Sequence, residues 1–129
     1  MADTVATGRF TVAMRPEGGV DPAIGLMKLE KAYEGDLIAS SVGQMLAVRS
    51  AVEGSAGYVA IERVTGTLHG RSGSFALQHD GIMDRGAPSL SVVVIPDSGT
   101  DALTGLTGRL EIEIRDGAHF YSFAYTLPD

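Results

Sequence analysis

Residues 110–123 read LEIEIRDGAHFYSF, and this stretch decides the fold. Leu110, Ile112 and Ile114 alternate with charged residues, which is the period-two pattern of a strand with one buried face. Asp116-Gly117 then separates this run from a second alternating run. Because both central residues of a tight hairpin turn need positive φ, an Asp-Gly pair between two such runs is a strong hairpin signal. The stretch therefore predicts a β-hairpin.

Glycine-containing turns recur along the whole chain, which has 17 glycines in 129 residues, and a second tight turn is predicted at 70–73. The segments between the turns alternate in polarity, as they do in antiparallel barrels and sandwiches. We predict one all-β domain over residues 1–129, with eight antiparallel strands closed into a barrel or folded into a sandwich. The predicted strands are residues 9–15, 26–34, 36–48, 58–68, 74–83, 89–95, 108–115 and 118–127.

The segment 21–33 has a second interpretation, a helix in which Ile24, Met27 and Lys31 would share one face. Gly25 and the period-two polarity of residues 27–33 favour the strand instead.

Composition excludes several classes of function. The formal net charge of −6 disfavours phosphate backbones and anionic membranes, so we expect no nucleic-acid or membrane partner. The absence of cysteine excludes disulfides, thiolate nucleophiles and cysteine-based metal sites. The first residues lack the basic and apolar regions of a signal peptide, so we expect a cytoplasmic protein.

Polar residues that share a strand face with apolar ones are candidates for a site inside the barrel. His79 shares a face with Phe75, whereas Gln78 lies opposite. A histidine among apolar neighbours can act as general acid or base, because its ordinary pKa is close to physiological pH. The alternative is a structural histidine in the core.

The last predicted strand places His119, Tyr121 and Phe123 on one face. Such a row could build a pocket with a proton donor and hydrogen bonds to a carbonyl group. The alternative is a core row whose hydroxyl groups reach the backbone.

Glu62 shares a face with Tyr58, and the pattern does not decide whether that face is inside or outside. A buried Glu62 would have a raised pKa and would be a candidate general base. Lys31 and Tyr33 form a similar pair, for which we expect the lysine to be exposed.

A metal site is the weaker alternative. His69, His79 and His119 lie on three separate predicted strands, and two of them could meet Glu62 or Asp80 at a divalent ion. Nothing in their spacing requires this, and we expect no metal and no cofactor.

Several segments resemble known families. Residues 33–37, YEGDL, resemble a stretch of plant allene oxide cyclases, and the glycine-rich residues 98–108 resemble a loop that these enzymes share with dirigent proteins. Residues 66–79 and 117–121 resemble a bacterial domain family of unknown function grouped with those barrels. The likeness spans about residues 8–127 and implies an eight-stranded barrel of the allene oxide cyclase-like type, with an apolar cavity and often in an oligomer.

The resemblance does not extend to the chemistry of those cyclases. They place a glutamate on the first strand, whereas residues 10–15 of this chain read FTVAMR. Their cavity cysteine also has no counterpart in this chain.

We expect a homo-oligomeric barrel that holds a small apolar ligand, with cofactor-free isomerisation or cyclisation as its chemistry if it is an enzyme. The candidate catalytic residues are His79, His119 and Glu62. The candidate binding residues are Tyr121, Gln78, Tyr58, Phe75 and Phe123. The alternative is a non-enzymatic interaction module with a packed barrel, which self-associates through Val59, Ile61, Val93 and Ile95.

Overall fold

A computed structural model describes residues 3–128 and confirms the all-β prediction. Eight antiparallel strands form a closed barrel in sequence order, and β8 pairs with β1 to complete it. The strands are β1 (Thr4–Glu17), β2 (Gly25–Gly35), β3 (Leu37–Arg49), β4 (Ala56–Leu68), β5 (Arg71–Asp84), β6 (Ala87–Val94), β7 (Thr107–Arg115) and β8 (Ala118–Thr126). A short 3₁₀ helix, Asp101–Leu103, lies in the connection from β6 to β7. Within residues 3–128, no helix is long and apolar enough to cross a membrane.

The predicted hairpin turn at Asp116-Gly117 is confirmed, with φ of 50° and 79° at its two residues. The predicted turn at 70–73 is misplaced, because His69 and Gly70 form the turn with φ of 46° and 79° and β5 already begins at Arg71. Positive φ is uncommon for non-glycine residues in general, so the sequence pattern favours starting the turn at Gly70.

The strand interpretation of residues 21–33 is confirmed by β2, which begins at Gly25. Leu29, Lys31 and Tyr33 are buried and alternate with more exposed residues, which is the period of a strand and not of a helix.

Large apolar side chains fill one end of the barrel, at the turns β2–β3 and β4–β5 and the long β6–β7 connection. The fully buried members of this core are Leu37, Leu68, Phe75, Leu77, Leu103, Leu106 and Phe123. Phe75 and Phe123 stack with ring centroids 5.8 Å apart. This end of the barrel is closed by packed side chains.

Four methionines from the inward-facing rows of β1, β2, β3 and β5 lie near the opposite end, which we call the methionine end. They are Met14, Met27, Met45 and Met83. Met14 and Met83 are exposed, and Met27 and Met45 are half-buried. The inward-facing side chains are therefore fully buried at the closed end and more exposed at the methionine end.

Candidate functional site

Four polar side chains meet inside the barrel, between its closed end and the methionine end. They are Lys31 and Tyr33 of β2, Glu62 of β4 and His79 of β5, and we call them the polar network. All four are buried, with the Glu62 residue only 1% exposed. Since the barrel alternates inward and outward residues, the face of β4 that carries Glu62 is the inner one.

Glu62 is the centre of the polar network. The Tyr33 hydroxyl donates to its Oε1. The Lys31 ammonium lies 2.6 Å from its Oε2, and His79 Nε2 lies 3.0 Å from the same oxygen. Both carboxylate oxygens thus have partners, which a buried carboxylate requires.

Gly43 of β3 is the cross-strand partner of Glu62 and explains how this carboxylate fits inside. A Cβ at residue 43 would lie 2.3 Å from the Ile61 carbonyl oxygen and 2.9 Å from the Cβ of Glu62. Contacts this close do not occur, so a side chain here would push β3 away from Glu62.

The pKa of Glu62 is lowered to about 2. Burial by itself would raise it, but the hydrogen bond from His79 and the charge of Lys31 outweigh burial. The expectation that burial raises this pKa is therefore wrong, because it left out the two donors that meet the carboxylate. A carboxylate this acidic is ionised at neutral pH and is a weak base.

Burial and the negative charge of Glu62 raise the pKa of Tyr33 far above its ordinary value of 10. Its phenol therefore keeps its proton. Ser41 lies near this phenol and opposes the rise, but its Oγ meets no partner in hydrogen-bond geometry.

The expectation that Lys31 is exposed is wrong, since its side chain is only 7% exposed. Besides Glu62, the ammonium faces the Phe10 ring, 5.0 Å from its centroid. The strand period already placed Lys31 beside Leu29 and Tyr33, and this was the signal that could have identified it.

The structure brings together only two of the three candidate catalytic residues. Glu62 and His79 are in contact, whereas His119 is half-buried and packs on Phe10, with ring centroids 5.1 Å apart. His119 is therefore a neighbour of Phe10 and no member of the polar network.

The candidate binding residues are spread over the barrel. Phe75 and Phe123 belong to the closed end. Tyr58 is half-buried towards the methionine end, where its ring lies against Gly81. Gln78 is exposed on the outer face, so it does not reach the interior.

Tyr121 is buried, and its hydroxyl bonds to the backbone. Leu37 N–H donates to this hydroxyl over 2.9 Å, and the hydroxyl donates to the Glu34 carbonyl oxygen over 2.9 Å. Tyr121 thereby ties β8 to the turn between β2 and β3.

Replacing Tyr121 with phenylalanine is expected to lower the free energy of unfolding by about 1–3 kcal/mol, because the buried Leu37 N–H and the partly buried Glu34 carbonyl lose their partner. Urea unfolding followed by circular dichroism measures this loss. Tyr58→Phe is the control, since no hydrogen bond joins the Tyr58 hydroxyl to another described residue. A loss below about 0.5 kcal/mol for Tyr121→Phe, the range of a surface substitution, would contradict the structural role.

The three histidines stand in separate surroundings. His69 lies at the closed end, where its Nδ1 is 2.5 Å from the Tyr125 hydroxyl and its Nε2 is 3.5 Å from Asp36 Oδ2. In residues 3–128, no three His, Asp or Glu side chains are grouped so that they could hold a metal ion.

Surface grooves lie on the outside of the barrel. One of about 560 Å³ passes Gly8 and Gly35 and is lined by Arg9, Glu34 and Phe120 among others. Another, of about 370 Å³, runs over the outer faces of β3, β4 and β5 and includes Gln78. The polar network is instead packed among inward side chains, so a molecule that reaches it has to displace some of them.

The sequence comparison and the fold comparison agree with each other. Residues 6–125 match the model of a family described as "Protein of unknown function (DUF3224)". The chain is 46% identical to a DUF3224 protein of unknown function from Shewanella oneidensis, whose crystal structure superposes with a TM-score of 0.94. That likeness covers 98% of each chain. No curated protein matches the chain.

Proposed function

The chain belongs to the DUF3224 family, and we propose that it is a binding barrel for a small apolar molecule. The ligand enters at the methionine end and places one polar group against the polar network. The observation that carries the proposal is the buried Lys31–Glu62–His79–Tyr33 network at the centre of a largely apolar barrel interior.

The stability of the fold does not by itself explain why the protein has a buried charged network. Moving an ammonium and a carboxylate out of water costs several kcal/mol per ion, and well-packed apolar side chains of similar volume are often as stable or more so. The neighbouring core of Phe75, Leu77 and Phe123 is built in that apolar way. We therefore assign the polar network a role in binding.

We propose that the ligand reaches the polar network through the methionine end. Methionine is unbranched and has three rotatable bonds, so it can move aside and repack around a ligand. Beside the methionines the inner wall also carries the small residues Ala47 and Ala60, whereas the Tyr58 ring lies over Gly81. The closed end offers no comparable route, because Leu37, Leu68 and Leu106 are fully buried there.

The chemistry that we propose for the ligand is cofactor-free isomerisation with His79 as the proton carrier. Glu62 holds the His79 ring through Nε2, and a ring fixed in this way has a defined tautomer. Glu62 itself is a weak base at its pKa of about 2, so its part is to position His79 and Lys31. The likeness to allene oxide cyclases supports a ligand-holding barrel, but the inner face of β1 carries Phe10, Val12 and Met14 and no carboxylate.

Methionine-methyl NMR tests the proposal directly. The protein is labelled with ¹³C-methionine and titrated with 2-octanone. The Met27 and Met45 signals are expected to shift saturably, because both side chains lie on the inner wall between the opening at the methionine end and the polar network. Single Met→Leu variants assign the signals. Octane-1,8-diol is the control ligand, since its two polar ends disfavour apolar burial. Unchanged Met27 and Met45 signals at saturating 2-octanone would refute ligand entry at this end.

A second candidate function is self-association, favoured by an exposed apolar face on the outside of β3, β4 and β5. Its members are Val42, Leu46, Val59, Ile61 and Ile82, each at least 45% exposed. Contiguous exposed apolar patches mark interaction sites, and a second copy of the chain is the partner that we propose. Val93 and Ile95, which the sequence suggested for this interface, are only half exposed.

Native mass spectrometry of Val59→Lys tests self-association. A charge in the centre of an apolar interface is expected to turn the oligomer into monomer, whereas Thr11→Lys, on the exposed outer face of β1, leaves the mass unchanged. A monomeric wild-type protein, or an oligomer that Val59→Lys leaves intact, would contradict this candidate.

A further inference from the structure

The polar network has one buried hydroxyl beside it that lacks a partner. Among residues 3–128, one fully buried side-chain nitrogen or oxygen has no hydrogen-bond partner, and this atom is Ser41 Oγ. The residue is 4% exposed and lies on the inner face of β3. An unsatisfied buried hydroxyl is costly to stability, so a native protein keeps one where something else completes its hydrogen bonds.

Ser41 is the direct cross-strand partner of Lys31. The Cβ atoms of such a pair are about 4.5–5.5 Å apart, so the two side chains share one region of the interior. The Lys31 ammonium has three N–H donors. Glu62 Oε2 accepts one of them and the Phe10 ring faces the group, so the ammonium can donate to a further acceptor.

No acceptor of the protein meets the Ser41 hydroxyl in hydrogen-bond geometry, although the Tyr33 phenol lies near it. Both oxygens of Glu62 are already engaged, Oε1 by Tyr33 and Oε2 by Lys31 and His79. The next residues along the row that contains Ser41 are Val64 and Phe75, which are apolar and fully buried. A ligand that completes the site therefore has to bring the acceptor with it.

We infer that the ligand carries a neutral carbonyl group whose oxygen accepts from Ser41 Oγ and Lys31 Nζ. This inference rests on the proposed binding function and names the class of ligand, an apolar ketone, aldehyde or ester. A carboxylate is disfavoured, because Glu62 already balances the charge of Lys31 and a second buried anion would have no counter-ion. A hydrocarbon would fill the barrel but leave the Ser41 hydroxyl without a partner.

Calorimetric titration with three probes of equal chain length tests the inference: 2-octanone, octanoate and 1-octene. The wild-type protein is expected to bind 2-octanone about tenfold more tightly than 1-octene, which is the effect of one good hydrogen bond. Octanoate is expected to bind more weakly than 2-octanone. Ser41→Ala is expected to remove most of the preference for 2-octanone and to leave the affinity for 1-octene unchanged.

Ser40→Ala is the matched control, because Ser40 is the neighbouring serine on the exposed outer face of β3. Equal wild-type affinities for 2-octanone and 1-octene would overturn the carbonyl inference, as would a Ser41→Ala variant that weakens both probes to the same degree. Tighter binding of octanoate would overturn it too. Failure of all three probes to bind counts against the proposed function itself, so the two failures are distinguishable.

Discussion

Replacing Glu62 with alanine is expected to lower the free energy of unfolding by about 3–5 kcal/mol, because the substitution leaves the buried Lys31 ammonium without its counter-ion. Tyr33 and His79 lose their hydrogen-bond partner at the same time. Urea unfolding followed by circular dichroism measures the loss. Glu111→Ala is the control, since Glu111 is exposed on β7 and its removal is expected to change stability by less than about 0.5 kcal/mol.

The same account predicts that removing the whole polar network is tolerated. In a four-residue apolar variant, Lys31→Met, Tyr33→Phe, Glu62→Met and His79→Leu are combined. Its stability is expected to lie within about 2 kcal/mol of the wild-type value, because no buried charge is left unpaired. A Glu62→Ala variant as stable as wild type would show that the pairing around Glu62 contributes little. An apolar variant that unfolds as easily as Glu62→Ala would show that the network is needed for stability.

Acid is expected to weaken the protein by about 3 kcal/mol through Glu62, since one pKa unit corresponds to about 1.4 kcal/mol. The pKa falls from 4.5 to about 2 on folding. A group whose pKa falls on folding adds stability that is complete above the unfolded pKa and is lost as the pH drops through the folded pKa. The loss attributable to Glu62 therefore develops as the pH falls from about 5 to about 2.

Stability measured across this pH range in the wild-type protein and in the four-residue apolar variant isolates the effect. The exposed carboxylates are common to both proteins, so the difference between the two curves reports the polar network. The wild-type curve is expected to fall more steeply below about pH 5. Parallel curves for the two proteins would contradict the lowered pKa of Glu62.

Local pattern was enough to predict the eight antiparallel strands, and the family resemblance added their closure into a barrel. Alternation in residues 110–115 and the Asp116-Gly117 turn are short-range signals, and both appear in the structure as predicted. Turns of this kind between alternating runs lead to neighbouring antiparallel strands, which is the order observed. The His69-Gly70 turn was misplaced because it depends on a histidine with positive φ, which composition does not indicate.

The site was predicted only in part, because it depends on contacts between distant strands. Glu62 and His79 were both candidates, yet the pattern of β4 fits either face, and only closure of the barrel turns Glu62 inwards. Lys31 was expected in solvent, since a lysine is rarely buried without a partner. That partner lies two strands away, and a strand period does not reveal it.

The polar roles of Tyr121 and Ser41 were also beyond the sequence pattern. Each depends on the register between strands, which brings Tyr121 to the backbone of Leu37 and Ser41 to the side of Lys31. Register follows from the complete set of turns and is not visible in one strand alone.

The dissociation constant of 2-octanone, measured by calorimetry in the wild-type protein and in the four-residue apolar variant, tests most directly whether the polar network is there to bind a ligand. Both proteins are expected to fold, and the apolar variant is expected to bind 2-octanone at least about tenfold more weakly, the loss of one good hydrogen bond. Equal dissociation constants in the two proteins would contradict the account, because the network would then contribute nothing to binding.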